Sequence, residues 1–110
     1  MPAKSPALPY GTLDLLVLRT LAKGANHGYG ILLHIHDVSN NLLRIEEGSL
    51  YPALHRLESS GLLKGTWETS DTNRRAKYYS LTAQGRRQLA EEQRKWEQVA
   101  EGVTRVLRFA

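Results

Sequence analysis

The sequence predicts a mainly α fold with one small β-hairpin, and three observations carry the prediction. Apolar residues recur with helical spacing in three segments ahead of Gly61, two short strand-like runs follow, and a last segment without proline keeps a heptad rhythm. With 110 residues, 41% of them hydrophobic and 24% charged, the chain can bury one core and has no room for a catalytic domain beside a regulatory one.

Residues 1–9 are expected to form a flexible leader, since Pro2 and Pro6 interrupt any regular element there. From Gly11 to Ala22, Leu13, Leu15, Leu16, Val17, Leu18 and Leu21 are too dense for a single stripe. That predicts a helix covered on most sides, by its own domain or by a second subunit. Thr12 or Gly11 starts it and Gly24 stops it. A second helix is expected over Gly28 to Ser39, with Ile31, Ile35, Val38 and then Leu42 on one buried face and the Asn40-Asn41 pair as its end. In a third helix Leu50, Leu54 and Leu57 face the core and Gly61 is a left-handed cap. Proline is tolerated in the first turn, so Pro52 places the start at about Gly48 or Ser49. Ser49, Tyr51, Pro52, His55 and Arg56 are left on its exposed side.

Beyond Gly61, the runs Leu62 to Thr69 and Ala76 to Leu81 flank a polar stretch from Ser70 to Arg75, which reads as a hairpin with a polar tip. Trp67, Tyr78 and Tyr79 favour strands, and Lys64 and Glu68 mark wet positions. Thr82 caps a fourth helix running to about Leu107. Along it Leu89, Trp96 and Val103 recur every seven residues, Val99 and Val106 follow the last two by three, and Glu92 interrupts the seam. At ~1.5 Å per residue this helix would be roughly 37 Å long, more than so small a domain can cover. A seam without a partner in the chain implies a second copy, and the apolar first helix, with Leu13, Leu16 and Val17, is the surface expected to receive it. The expected organisation is therefore a leader (1–9), a winged helix-turn-helix domain (10–82) and a long C-terminal dimerisation helix (83–110).

The net charge of +4 acquires meaning from its distribution. Between Thr72 and Gln88 lie Arg74, Arg75, Lys77, Arg86 and Arg87 with no acidic residue, a local excess larger than that of the whole chain. A wing that neutralises phosphates, with Lys64, Asn73, Arg74, Arg75 and Lys77, accounts for it, against the plainer reading of a solvated basic surface. Hydroxyl, imidazole and guanidinium groups on the third helix suit base edges and phosphates in a major groove. His55 reads either as a nucleic-acid contact or as a neutral solvated residue, and Tyr51 either reaches DNA or braces the helix with its ring.

Other chemistry is not favoured. The chain has no cysteine, so disulfides, thiol nucleophiles and thiolate-ligated metals are excluded. His34 and His36 are two apart and point to different sides of a helix, His27 reads as a local hydrogen-bonding residue, and Glu46 and Glu47 are suited to a helix N-terminus. There is no phosphate loop, nucleophile elbow or triad spacing, so neither enzyme activity nor a cofactor or metal is expected. The lack of cysteine suits a reducing cytoplasm, and no apolar run approaches the ~20 residues that span a bilayer.

Five blocks carry a resemblance: Gly11-Thr-Leu-Asp-Leu-Leu-Val-Leu18, His27-Gly-Tyr-Gly30, Glu46-Glu-Gly-Ser-Leu-Tyr-Pro-Ala-Leu-His-Arg-Leu57, Asn73-Arg-Arg-Ala-Lys-Tyr-Tyr79 and Leu81-Thr-Ala-Gln-Gly85. Together they resemble the successive signatures of PadR-like transcriptional regulators, over roughly residues 8 to 107, and the brevity of the chain resembles the short subclass with a single C-terminal helix. The resemblance implies a homodimeric repressor that binds double-stranded DNA at a pseudo-palindromic operator. Ser49, Tyr51, Pro52 and His55 would lie on the recognition helix, Asn73, Arg74, Arg75 and Lys77 at the wing tip, and residues from Leu89 to Leu107 on the dimer helix. It also implies a response to a small aromatic or drug-like effector, for which Trp96 is the candidate stacking residue; the competing reading of Trp96 is a core aromatic of the dimer. The rival function is a winged-helix dimer acting as a protein-interaction module without operator binding.

Overall fold

A computed structural model describes residues 8–9, 11–69 and 71–109. The leader expected over residues 1–9 lies, apart from Leu8 and Pro9, outside the described residues. The elements are α1 (Thr12–Leu21), β1 (Asn26–His27), α2 (Gly28–Val38), α3 (Glu47–Ser59), β2 (Leu63–Thr69), β3 (Arg75–Leu81) and α4 (Ala83–Arg108). This is the mainly α, winged helix-turn-helix arrangement with a long C-terminal helix that the sequence predicts.

The core is built where the apolar stripes meet. Val17, Leu18 and Leu21 of α1, Ile31 and Ile35 of α2, and Leu50, Leu54 and Leu57 of α3 are buried together, closed below by Leu63 and Tyr79 and at one side by Leu89. Two helices stop by the same device. After α3, Gly61 takes φ +80°, its N–H donates to the Glu58 carbonyl and that of Leu62 to the Leu57 carbonyl. After α2, Asn40 takes φ 54°, with Asn40 N–H on the Asp37 carbonyl and Asn41 N–H on that of His36. Both are Schellman ends, reached by glycine in one case and by asparagine, the side-chain-bearing residue that best tolerates the left-handed region, in the other.

Several expectations are corrected. Val38 and Leu42, placed on the buried face of the second helix, are 71% and 78% exposed, because the helix ends at Val38 and the Asn40-Asn41 turn carries the chain off the core before the stripe can continue. The third helix begins at Glu47, ahead of the expected Gly48 or Ser49, so Pro52 sits in its second turn. Its missing N–H would have donated to Gly48. Val17 and Leu89, expected at the dimer interface, are core residues of the protomer at 0% and 7% exposure and have no surface to offer a partner. The density of α1 is thus met largely within its own domain.

The sheet has a third strand that the sequence did not reveal. Its order is β1-β3-β2, all antiparallel, with Asn26 opposite Tyr79 and His27 opposite Tyr78, and with Leu63 opposite Leu81 through to Thr69 opposite Arg75. Two residues are too few to produce an alternation. Residues opposite one another share a face. One face of the hairpin therefore runs outward from Leu63 and Tyr79, through Gly65 and Lys77, to Trp67 and Arg75.

Candidate nucleic-acid interface

Burial of Leu50, Ala53, Leu54 and Leu57 fixes the rotation of α3 and turns Ser49, Tyr51, Pro52, His55 and Arg56 outward. Their differences in freedom are set by neighbours. The ring of Tyr51 lies against Gly28 at the start of α2, where a Cβ would stand 2.6 Å from Tyr51 Cε1, yet the residue remains 46% exposed. Tyr51 therefore packs Cε1, Cζ and its hydroxyl against the start of α2 and leaves nearly half of its surface exposed. Arg56 forms an ion pair with Asp14 in the first turn of α1, which ties the guanidinium to a second helix. Ser49 and His55 are exposed on the same helix.

The segment that receives Tyr51 is built for it. His27 Nδ1 accepts the Gly30 N–H at 3.0 Å and caps α2, while the ring of His27 meets that of Tyr78 edge-on at 5.3 Å. Asn26 Oδ1 accepts the His27 N–H at 2.9 Å, and a Cβ on Gly30 would fall 2.1 Å from that oxygen. The His-Gly-Tyr-Gly block is thus a cap with two glycines, one clearing the Tyr51 ring and one clearing Asn26. His36 has a similar local role, its Nε2 accepting the Ile45 N–H at 2.8 Å across the α2–α3 loop.

The wing extends beside α3. Asn73 turns its tip with φ 61°, and Asp71, Thr72, Asn73, Arg74 and Arg75 are all exposed. The Arg75 guanidinium lies 5.4 Å from the centroid of the Trp67 ring, and Trp67 is itself 58% exposed. Lys64, expected as a wet wing residue, is exposed opposite Ser80 at the root of the hairpin, away from its tip. Lys77 is engaged within the protein: its Nζ donates to Glu58 Oε1 at 2.7 Å. That hydrogen bond holds the Lys77 ammonium above its ordinary range, and burial pushes the Tyr79 phenol up as well.

Beyond Leu89, α4 leaves the domain. Trp96, Val99, Val103 and Val106 are 50–75% exposed along one face, and Leu107 and Phe109 continue the apolar surface. The other faces are polar, with Arg94 on Glu91 at 2.7 Å and Arg105 on Glu101 at 2.8 Å. The Arg94 hydrogen bond holds the Glu91 carboxyl below its usual range. On α1, the expected interface residues Leu13 and Leu16 are partly buried against the core.

Sequence reasoning missed Glu58, Gly65 and Trp67 as members of this surface. Only Gly65 carried a signal, since a glycine inside a strand marks a close approach. The other two depend on the β2–β3 register, which sets Trp67 opposite Lys77.

The fold and the surface formed by α3 and the hairpin define the class of winged-helix transcription regulators. Residues 17–91 match the profile of the transcriptional regulator PadR-like family, and the chain belongs to that family, whose members are regulators and not enzymes. It is 35% identical over 89 residues to a transcriptional regulator of Mycobacterium tuberculosis, covering 81% of this chain and 79% of that protein. Among solved structures it resembles a PadR family regulator from Eggerthella lenta (35% identity, TM-score 0.77, 91% of this chain and 85% of that one). It also resembles a transcriptional regulator from Clostridium thermocellum (29% identity, TM-score 0.78, 86% and 92%). Among the described residues, no helix is long and apolar enough to cross a membrane.

Proposed function

We propose that the protein works as a homodimer that binds a pseudo-palindromic operator in double-stranded DNA and represses transcription from it. The observation that carries this reading is the pairing of an outward-facing α3, with Ser49, Tyr51, Pro52 and His55, and a wing whose exposed tip holds Asn73, Arg74 and Arg75. Phosphate contacts from the wing would set register and most of the affinity, and side chains of α3 would read base edges. Residues 10–82 form the reading head, and residues 83–110 the arm that joins two heads through Trp96, Val99, Val103 and Val106. Two-fold symmetry then places half-sites one helical turn apart, ~34 to 36 Å. A small aromatic effector that stacks on Trp96 would relieve repression by shifting the population of dimers toward a different head spacing.

Footprinting on the DNA upstream of its own gene tests the reading. Two protected half-sites are expected, and replacing Arg74 and Arg75 with Ala should weaken binding and lower the slope of log affinity against log salt by up to about two. An unchanged affinity and slope would leave the protein-interaction module as the function of the wing. For the effector, quenching of Trp fluorescence should vanish in Trp96→Phe and survive in Trp67→Phe.

A further inference from the structure

The sequence makes Lys77 one more wing cation, but the fold uses it differently. Its side chain crosses β2 over Gly65, where a Cβ would stand 2.4 Å from Lys77 Cε and 2.6 Å from Glu58 Oε2. Nζ reaches Glu58 Oε1 at 2.7 Å and lies 5.4 Å from the centroid of the Tyr79 ring. The two side chains are each only 28% exposed. Glu58 belongs to the last turn of α3, and its carbonyl accepts the Gly61 N–H in the turn that leads to β2. Outward from this point, Thr66 to Thr69 of β2 are exposed. This ion pair ties the outer half of the hairpin to the end of the recognition helix, and glycine at 65 is what lets it pass.

We propose that Glu58 and Lys77 form a strut that sets the pitch of the wing against α3, so that Lys77 is a positioning residue and not a phosphate contact. The role of both elements on DNA rests on the reading above. An ammonium directed onto Glu58 across β2 is not brought to a phosphate, so it displaces no counterion of DNA and contributes little to the salt dependence of binding. Its contribution is to hold Trp67 and Arg75, further out on the same face, at a fixed distance from the outward side of α3.

The two roles of Lys77 predict opposite responses to Glu58→Gln. A strut is broken by it and binding weakens; a phosphate-contacting lysine is released by it and binding tightens. The probe is a mixed-sequence DNA duplex, titrated over a range of salt. Glu58→Gln and Lys77→Met should each weaken binding by about three- to tenfold with the salt slope unchanged, and the exchange Glu58→Lys with Lys77→Glu should recover most of the loss. In Trp96→Phe protein, where Trp67 is the remaining tryptophan, both single variants should lower the fluorescence anisotropy of Trp67 without DNA. The strut is overturned if Glu58→Gln tightens binding, if Lys77→Met lowers the slope by about one, or if the anisotropy does not move. Should the unmodified protein bind no duplex, the DNA reading fails, and the anisotropy alone decides the strut.

Discussion

Replacing Gly85 with Ala separates two effects that ordinarily act together in a helix. Alanine in place of glycine stabilises a helix by ~1 kcal/mol, because the unfolded chain has less freedom to lose. At Gly85, in the first turn of α4, a Cβ would stand 2.1 Å from the Leu62 carbonyl oxygen. An ordinary carbon–oxygen contact is about 3.3 Å or longer, so α4 would have to retreat by about 1 Å from a backbone group that cannot rotate away. Overpacking of this kind costs about 1–3 kcal/mol, and the obstacle here is backbone, which favours the upper part of that range. The retreat also strains the cap, in which Thr82 Oγ1 accepts the Gly85 N–H at 2.9 Å and donates to the Gly61 carbonyl at 2.7 Å. A net loss of about 1–2 kcal/mol follows, or roughly 4–8 °C in melting temperature at about 4 °C per kcal/mol. Gly48, in the first turn of α3, has nothing within 4 Å of a Cβ and serves as the control, with an expected gain of up to ~1 kcal/mol. Thermal melts followed by far-ultraviolet circular dichroism, all at one protein concentration, measure both. A Gly85→Ala protein that melts at or above the temperature of the unmodified chain would refute the argument that close docking of α4 on the Leu62 carbonyl requires glycine.

Three further perturbations reach other parts of the molecule. Val103→Asp places a charge in the centre of the exposed face of α4, and sedimentation velocity should show a species of 12.4 kDa in place of one roughly twice that mass; a species of 12.4 kDa in the unmodified protein would remove the dimer. His36→Ala deprives the Ile45 N–H of its acceptor, and denaturant unfolding should register a loss of about 1–3 kcal/mol. In alkali, Lys77 and Tyr79 share a sign, since each has its folded pKa raised, Lys77 by its hydrogen bond to Glu58 and Tyr79 by burial. Their contribution is complete below their ordinary values of 10.5 and 10.0 and is lost as pH rises through the raised folded ones. Stability should therefore be insensitive to these two groups through neutrality and fall above about pH 10, and Lys77→Met should flatten part of that fall.

Much of the candidate surface was legible because it depends on local rules. The spacing of Leu50, Leu54 and Leu57 dictates which side of α3 is wet, so Ser49, Tyr51, Pro52, His55 and Arg56 could be placed outward without coordinates, and all are exposed. Gly61 and the Asn40-Asn41 pair announced helix ends for a conformational reason that holds in any fold. What local rules could not supply was the state of each charged group. Arg56 and Lys77 look alike as exposed cations in a sequence, yet Asp14, 42 residues away from the first, and Glu58, 19 away from the second, neutralise them. The seam on α4 shows the same limit: its heptad groups Leu89 with Trp96 and Val103, and only the docking of the first turns of α4 on the core separates the first from the others.

The sequence by itself determined the order of the four helices and the hairpin, the buried side of α3 and the concentration of basic residues after Thr72, because periodicity, capping and charge count are properties of neighbours along the chain. The tertiary structure alone decided that a two-residue strand at Asn26–His27 completes the sheet, that Gly28 lies under Tyr51, and that Lys77 is spent on Glu58 and not held free at the wing. Each of these is a contact between segments distant in sequence, and its existence depends on strand register and helix rotation, which are settled only when the whole core packs at once.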